Sequence, residues 1–394
     1  MARILVCGAG IAGCATAWWL VRRGFDVTLV ERTPEFRTGG QNIDVRGQAR
    51  EVVRRMGLEA AALALNTTET GTAWVDAAGR TAAEFGVGDG DGPTAEMEIL
   101  RGDLARLLYD GVRDRAEVRF GDHVAAIDDR GDGARVTFDG GAVERFDLVI
   151  VAEGVGSHTR ELVFPRENDP RWMDETIAYF TIPRTAGDDR RWRWFNAPDK
   201  RSISLRPDPH ATTRAMLALH GRAHGEQDWP PARQKAFLAD RFADAGWEAP
   251  RVLAAMAQAD DFYFDALRQV RMPRYASGRV VLTGDAAWCV TPLAGMGSSL
   301  ALIGAYVLAG ELAVAADLIA GLARYEAVMR PLVKRAGNVP KLGPRLLHPR
   351  TRAGIAALHG VLRLATSAPA RALAGKFGSS RRPPDPLPDY PPLA

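Results

Sequence analysis

Lysine is missing from the first half of the chain; none precedes Lys200. Cysteine is scarce as well, with only Cys7, Cys14 and Cys289 in 394 residues. These three form no CxxC pair and no zinc-ligand spacing, which excludes a disulfide scaffold and a structural zinc site. Read as small buried hydrophobes, they suit a reducing cytoplasm. An excess of one charge is also lacking, the net charge being +3 with 25% charged residues. That excludes the clustered basic footprint of a nucleic-acid binder. MARILVCGAG starts a strand at once instead of a charged segment and a separate apolar core, so a cytoplasmic location is expected. The one long apolar run, LALIGAYVLAGELAVAADLIAG (300–321), is interrupted by Glu311 and Asp317. Both would be costly in lipid, so the run reads as a buried helix without membrane contact. No internal repeat, Ser-His-Asp pattern or metal triad stands out.

Length and apolar content, 46% hydrophobic, allow two or three cores. The chain opens with ARILVCGAGIAGCATAWWLVRRGFDVTLVER. A strand from Ile4 to Cys7 leads into Gly8, Gly10 and Gly13, a G-x-G-x-x-G, then into a helix that stops at Gly24. A second strand, Asp26 to Val30, ends in Glu31. Gly8 permits the tight turn, Gly10 the approach of a pyrophosphate, and Gly13 close packing of helix on strand. Ile11 and Ala12 begin the helix, whose N–H groups and partial positive charge face the phosphates. Glu31 stands where a carboxylate accepts from a ribose diol, implying NAD or FAD and not NADP at this site. A nicotinamide dehydrogenase continues as repeated βα units, whereas this chain turns into the loop TPEFRTGGQNIDVRGQA and a helix from about Ala49 to Met56.

Further patches follow. EILRGDLARLLYDGV (98–112) reads as a helix with Arg101 and Asp103 at its start; Asp103 suits a cap and Arg101 could cover a cofactor phosphate or ribose. ERFDLVIVAEGVGSHTRELV (144–163) reads as a buried strand ended by Glu153-Gly154, with Ser157 capping a helix. LTGDAAWCVTPLAGMGSSLAL (282–302) sets Asp285 after an apolar strand, then strips away side-chain bulk before a helix near Ser298. Glycines 86, 88, 90 and 92 precede no helix and read as a loop.

These stretches together resemble a class A flavin-dependent aromatic monooxygenase of the para-hydroxybenzoate hydroxylase fold. GAGIAG (8–13), AEGVGSHTR (152–160) and GDAAWCVTPLAGMG (284–297) stand for its three motifs, in order, over about residues 1 to 335. GGQNIDVRG (39–47), EILRGDL (98–104), DDFYFDALRQVRM (260–272) and PLAGMGSSLALIGAYVLAGEL (292–312) are more closely similar to tetracycline-inactivating and polyketide-hydroxylating flavin monooxygenases. The resemblance implies FAD contacts by Glu31, Arg32, Asp44, Arg101 and Asp285 beside the cradle residues. It also implies that Pro292, Gly295, Gly297 and Ser298 let the backbone lie along the isoalloxazine ring. Arg37 falls near a position implicated in NADPH contact. NADPH or NADH would serve as a transient co-substrate without a fold of its own. The sequence departs from the family in Glu153 for the usual Asp, Trp288 for His, Met296 for Gln, and Ser298-Ser299 for Asn-Asn. The last three are expected beside the flavin.

The fold expected is α/β: a Rossmann-like FAD-binding domain from residues 1–75, 97–165 and 268–340, interleaved with an antiparallel-sheet substrate domain from 76–96 and 166–267. Residues 341–394 add a C-terminal helix, about Thr351 to Phe377, and a proline-rich tail. That helix could cap the active-site mouth, as in the tetracycline-inactivating group, or serve as scaffold. TIAYFTIPR, RWRWFNAP, RSISLRP and TTRAMLALHG read as the strands that roof the flavin. Phe180, Trp192, Trp194, Phe195 and Met216 are candidate pocket residues; His210, His220 and His224 lie in the same region.

A helix N-terminus at Gly297 to Ser299 can stabilise the negative charge of reduced flavin. The resemblance implies a flavin C4a-hydroperoxide as oxygen donor, so no universal catalytic base is expected. The function expected is NAD(P)H- and O2-dependent hydroxylation of a phenolic or enolic polycyclic compound. Antibiotic inactivation, epoxidation and Baeyer–Villiger insertion stay open as variants. A flavin halogenase needs an early lysine, which is missing. WRWFNAP (192–198) only echoes the halogenase signature, its proline one place late. A flavoprotein that sequesters a ligand without turnover also remains. Oligomeric state is not legible.

Overall fold

A computed structural model describes residues 1–86, 97–291, 294–337, 343–367 and 386–393. Two sheets dominate. The first has six strands in the order Ala276–Ser277, Val280–Leu282, Leu148–Val151, Arg3–Cys7, Asp26–Glu31, Glu117–Phe120. All neighbours are parallel except the short Ala276–Ser277 edge. Leu148–Val151 and Val280–Leu282 are buried along their whole length, as continuous apolar runs must be when both faces of a parallel sheet are covered. The helix Ile11–Arg22 packs on this sheet, and the helix Gly297–Val314 packs on that helix. The latter is the apolar run of the sequence. It is long and apolar enough to cross a membrane by composition, yet 78% of it is buried inside the protein. Its Glu311 pairs with Arg324 at 2.7 Å and receives the Tyr390 hydroxyl at 2.8 Å.

The second sheet has seven strands in the order Tyr263–Gln269, Arg171–Pro183, Thr212–His220, Arg201–Pro207, Arg191–Ala197, Gly71–Val75, Thr81–Gly86. It is antiparallel, as expected, save for one parallel pair, Arg191–Ala197 beside Gly71–Val75. Gly71–Val75 pairs in this sheet with Arg191–Ala197 on one side and Thr81–Gly86 on the other. The helices Pro231–Phe242 and Ala249–Gln258 cover one face, burying Leu238, Phe242, Val252 and Met256 against Phe180, Phe195, Ile203 and Leu217. The other face carries Trp74, Ile177, Trp194, Met216, Ala218 and Leu267. Alternation along each strand produces this division.

The helix Arg352–Ala365, capped by Thr351, lies against Thr81–Gly86 and Arg191–Ala197. The rest of the expected Thr351–Phe377 helix beyond residue 367, half of the proline-rich tail, and glycines 88, 90 and 92 lie outside the described residues.

Candidate active site

The glycines of the first turn are there because backbone occupies the space of a side chain. Gly8 has φ +103°, and a Cβ on Gly13 would stand 1.7 Å from the Gly8 carbonyl oxygen. The Ala9 N–H donates to Glu31 Oε2 at 2.8 Å, while Glu31 Oε1 receives the Thr33 N–H at 3.1 Å. The helix behind the turn begins at Ile11 with no side-chain cap and no acid in its first turn, so its N–H groups remain for a ligand. A cavity opens here, lined by Ala9, Gly10, Glu31, Thr33, Arg37 and Arg101, with Phe36 and Ala105 behind. Arg101 lies over Gly10, whose Cβ would be 3.6 Å from the guanidinium. Burial pulls the Arg101 guanidinium below its ordinary range. Arg32 is exposed and does not line the cavity; Thr33 and Arg37 do.

The second glycine-rich turn meets the first across some 270 residues of chain. Gly284, at φ +59°, packs so closely on the start of the first helix that its Cβ would be 2.6 Å from Ala12 Cβ. Asp285 is half-buried, and its Oδ1 would lie 3.8 Å from a Cβ on Gly297. Burial raises the Asp285 carboxyl, opposed by the Arg101 charge and by the Cys289 thiol. Thr291 takes φ +75°, a genuine outlier for a β-branched residue, and its buried hydroxyl has no partner. Pro292 lies outside the described residues. Gly295 is exposed at φ +62°, and Gly297 and Ser298 open the long helix without a side-chain cap. Ser299 ties that helix to the strand Asn42–Asp44, receiving the Arg46 N–H at 3.1 Å and donating to the Asp44 carbonyl at 3.2 Å. Asp44 itself pairs with Arg46 at 3.0 Å.

One expectation changes here. Trp288 does not face the cofactor side of the glycine turn. It points back into the core, edge-on to Tyr275 at 5.0 Å, over Gly304, whose Cβ would be 2.9 Å from the indole. Glu153 has a defined task as a helix cap: Oε2 receives the Ser157 hydroxyl at 2.7 Å and the Thr159 N–H at 2.9 Å. Glu153→Ala is expected to lower stability by about 1 kcal/mol, read by thermal denaturation. Ser157 caps as expected, receiving Arg160 N–H at 3.1 Å. Asp103 does not cap; it receives a hydrogen bond from or shares one with His210 Nε2 at 2.8 Å.

The sheet face opposite those two helices carries a lateral row of register neighbours, Tyr263, Tyr179, Met216, Ser204, Trp194 and Trp74, with Leu347 and Leu362 of the C-terminal segment packed against its aromatic cluster. Trp192 lies on the same face, its ring 5.2 Å from Trp194. Phe180 and Phe195 do not: they point the other way, into the core under the helices, because they sit one residue out of phase with Tyr179 and Trp194. The indole nitrogens of Trp74, Trp192 and Trp194 are buried and have no partner among the described residues. Arg206 lies 4.1 Å over the Trp192 ring and pairs with two carboxylates from the other half of the molecule, Glu69 and Glu98, both at 2.9 Å. Glu98 Oε1 also receives Asn42 at 2.8 Å and Thr67 at 2.9 Å. Burial pushes the Glu98 carboxyl up to about 7, with Arg206 opposing and Glu69 adding. Burial pulls Arg206 down, but Glu69 and Glu98 outweigh it and hold the guanidinium charged. Burial raises the Tyr179 phenol to about 12.

His220 pairs with Glu175 at 2.9 Å, and His348 sits between Ser202 at 3.1 Å and Glu175 at 3.3 Å. His224 is exposed. Arg206, Glu69, Glu98, Tyr179 and His348 were not singled out from the sequence. Each is an ordinary strand or loop residue locally, and only pairing across strands gathers them.

Residues 1–337 match the family described as the FAD binding domain. A flavin-dependent monooxygenase of Legionella longbeachae is 36% identical over 339 residues, 84% of this chain and 86% of that protein. The FAD-dependent monooxygenase asL4 of Sarocladium schorii is 33% identical over 396 residues, covering 92% of each. Among solved structures, tetracycline destructase Tet(51) superposes with a TM-score of 0.81 at 32% identity, over 94% of this chain and 98% of that one. The chain belongs to the FAD-binding monooxygenase family. It is an FAD-dependent monooxygenase, and the cleft fits the cofactor: two glycine turns, two uncapped helix N-termini and the half-buried Arg101 cation converge on it.

Proposed function

We propose that the protein uses NAD(P)H and O2 to hydroxylate a phenolic or enolic polycyclic small molecule of polyketide or tetracycline type. The observation that carries this reading is the aromatic sheet face, where Trp74, Trp192 and Trp194 keep three buried indole N–H groups without partners among the described residues. A flat ligand with several oxygens would both stack there and supply the acceptors. Bound FAD supplies the chemistry, activating dioxygen for transfer of one atom. The chain's own residues bind and orient. Gly8, Gly10, Ile11, Ala12 and Gly13 would receive the pyrophosphate, Glu31 the ribose, and Arg101 a phosphate. Asp285 and Asp44 would hold polyol or ring-edge groups, and Gly295, Gly297 and Ser298 would line the flavin. Met216, Tyr179 and the tryptophans would exclude water and set the substrate's plane, and Arg206 would steady an enolate or phenolate oxygen.

Inactivation of an antibiotic, as against a biosynthetic step, is favoured as a second reading by the 32% identity to tetracycline destructase Tet(51) across nearly the whole chain. The test is a panel of tetracyclines and aromatic polyketides, scored by stimulated NAD(P)H oxidation and by product mass. A gain of one oxygen with a polycyclic enol supports the proposal. Oxidation that never couples to product across the panel, or coupling only to monocyclic phenols, refutes it.

A further inference from the structure

A second cavity, of about 330 Å³, lies behind the Asp285 turn and away from the glycine cradle. Its walls come from the end of the strand Tyr263–Gln269 and the residues after it, from the segment 287–290, and from the helix Leu318–Ala336. Met272, Tyr275, Trp288 and Cys289 give it a buried, largely apolar and aromatic lining, with Val333 at its side. Backbone hydrogen bonds Val270 to Cys289 at 3.0 Å and Met272 to Ala287 at 3.2 Å hold the two floor segments together.

Two polar groups in this lining are left over. Gln269 is 2% exposed, and its Oε1 has no hydrogen-bond partner among the described residues; Trp288 is 1% exposed, and its indole nitrogen has none among them either. A buried acceptor and a buried donor without partners each cost about 1–3 kcal/mol, so a ligand that answers both is stabilised. The rim is cationic. Arg330 is engaged with Glu326 and with the Pro273 carbonyl. Arg271 has one neutral contact, the Gly337 carbonyl at 2.9 Å, and neither it nor the exposed Lys334 pairs with a carboxylate among the described residues. An aromatic trough, an unmet donor, an unmet acceptor and two unpaired cations define the ligand by complementarity.

We propose that this cavity is a separate binding site for an aromatic carboxylate that carries a ring hydroxyl. The carboxylate lies at Arg271 and Lys334, the ring packs against Tyr275 and Met272, and the hydroxyl donates to Gln269 and accepts from the Trp288 indole N–H. The cavity's wall is the back of the turn whose front bears Asp285, so an occupant touches the same turn from behind.

The probe is 6-hydroxy-2-naphthoate, titrated into the FAD-loaded enzyme by its fluorescence and by calorimetry. Two variants address the site: the charge reversal Arg271→Glu/Lys334→Glu on exposed positions, and the filler Val333→Trp. Trp192→Ala addresses the substrate face instead. Both site variants are expected to keep FAD and the wild-type melting temperature. Probe affinity falls by about tenfold or more in the charge reversal and is lost in the filler, while Trp192→Ala binds as wild type does. Neutral 2-naphthol, lacking the anion, binds the wild type about tenfold more weakly. No binding to the wild type, unchanged binding in both site variants, loss in Trp192→Ala alone, or displacement of the probe by NADPH would each overturn the proposal. None of these outcomes depends on which substrate the enzyme oxidises.

Discussion

Gly13→Val is expected to give a colourless protein. The added Cβ would meet the Gly8 carbonyl oxygen at 1.7 Å, and the next atoms would press on Ala152, whose side chain is 3.5 Å away. Neither neighbour is a flexible side chain that can swing aside. The helix that begins at Ile11 must shift off the strand Arg3–Cys7, and its N–H groups then no longer meet a pyrophosphate at Gly10. The expected loss of FAD affinity is about 100-fold or more, equivalent to about 3 kcal/mol. The measurement is flavin absorbance of the purified protein and titration with FAD. Gly360→Ala is the control, since a Cβ there meets nothing within 4 Å. A yellow Gly13→Val protein with wild-type FAD affinity would refute the assignment of this turn to the cofactor.

The second large effect is expected from Arg206→Ala. Glu69 and Glu98 have side chains that are 0% and 1% exposed, and Arg206 is the cation they share. Removing it leaves two buried carboxylates facing each other, which costs about 3–5 kcal/mol. The effect has a sign in pH. In the parent protein burial already raises Glu98 from 4.5 to about 7, so the folded state binds more protons than the unfolded state between those values. Stability from this group therefore falls as pH rises from about 4.5 to about 7 and levels off above. Without Arg206 the Glu98 carboxyl rises further, so the deficit of Arg206→Ala is greatest at alkaline pH and shrinks as pH falls. Urea denaturation across pH 5 to 9 reads this directly. Glu98→Gln is expected to flatten the slope that Glu98 imposes on the parent. A deficit independent of pH, with Glu98→Gln leaving the slope intact, would show that these carboxylates are not coupled as described.

The glycine turns were legible because their requirement is local. Gly8, Gly13 and Gly284 are demanded by positive φ or by backbone within contact distance, and no other residue type meets that demand. The buried helix Gly297–Val314 was legible as a long apolar run with the single charge Glu311 inside it and Asp317 just beyond, too apolar for a surface. The aromatic face was legible only in part. Trp192, Trp194 and Met216 share a face, whereas Phe180 and Phe195 differ from their neighbours only in phase, and phase depends on which face the helices Pro231–Phe242 and Ala249–Gln258 cover. Trp288 was misread because a residue beside a glycine turn can point to either side of it. The space at Gly304, which receives the indole, is 16 residues further on.

The amino-acid sequence by itself determined the nucleotide cradle, the order of motifs and thereby the cofactor class, since spacing and backbone freedom within a few residues carry that information. Only the tertiary structure decided which aromatic rings share a face, that Arg206 reaches across to Glu69 and Glu98, and that Gln269 and Trp288 are left unpaired beside a cationic rim. Those are matters of strand register and of burial between distant segments, and no single stretch of chain holds both partners.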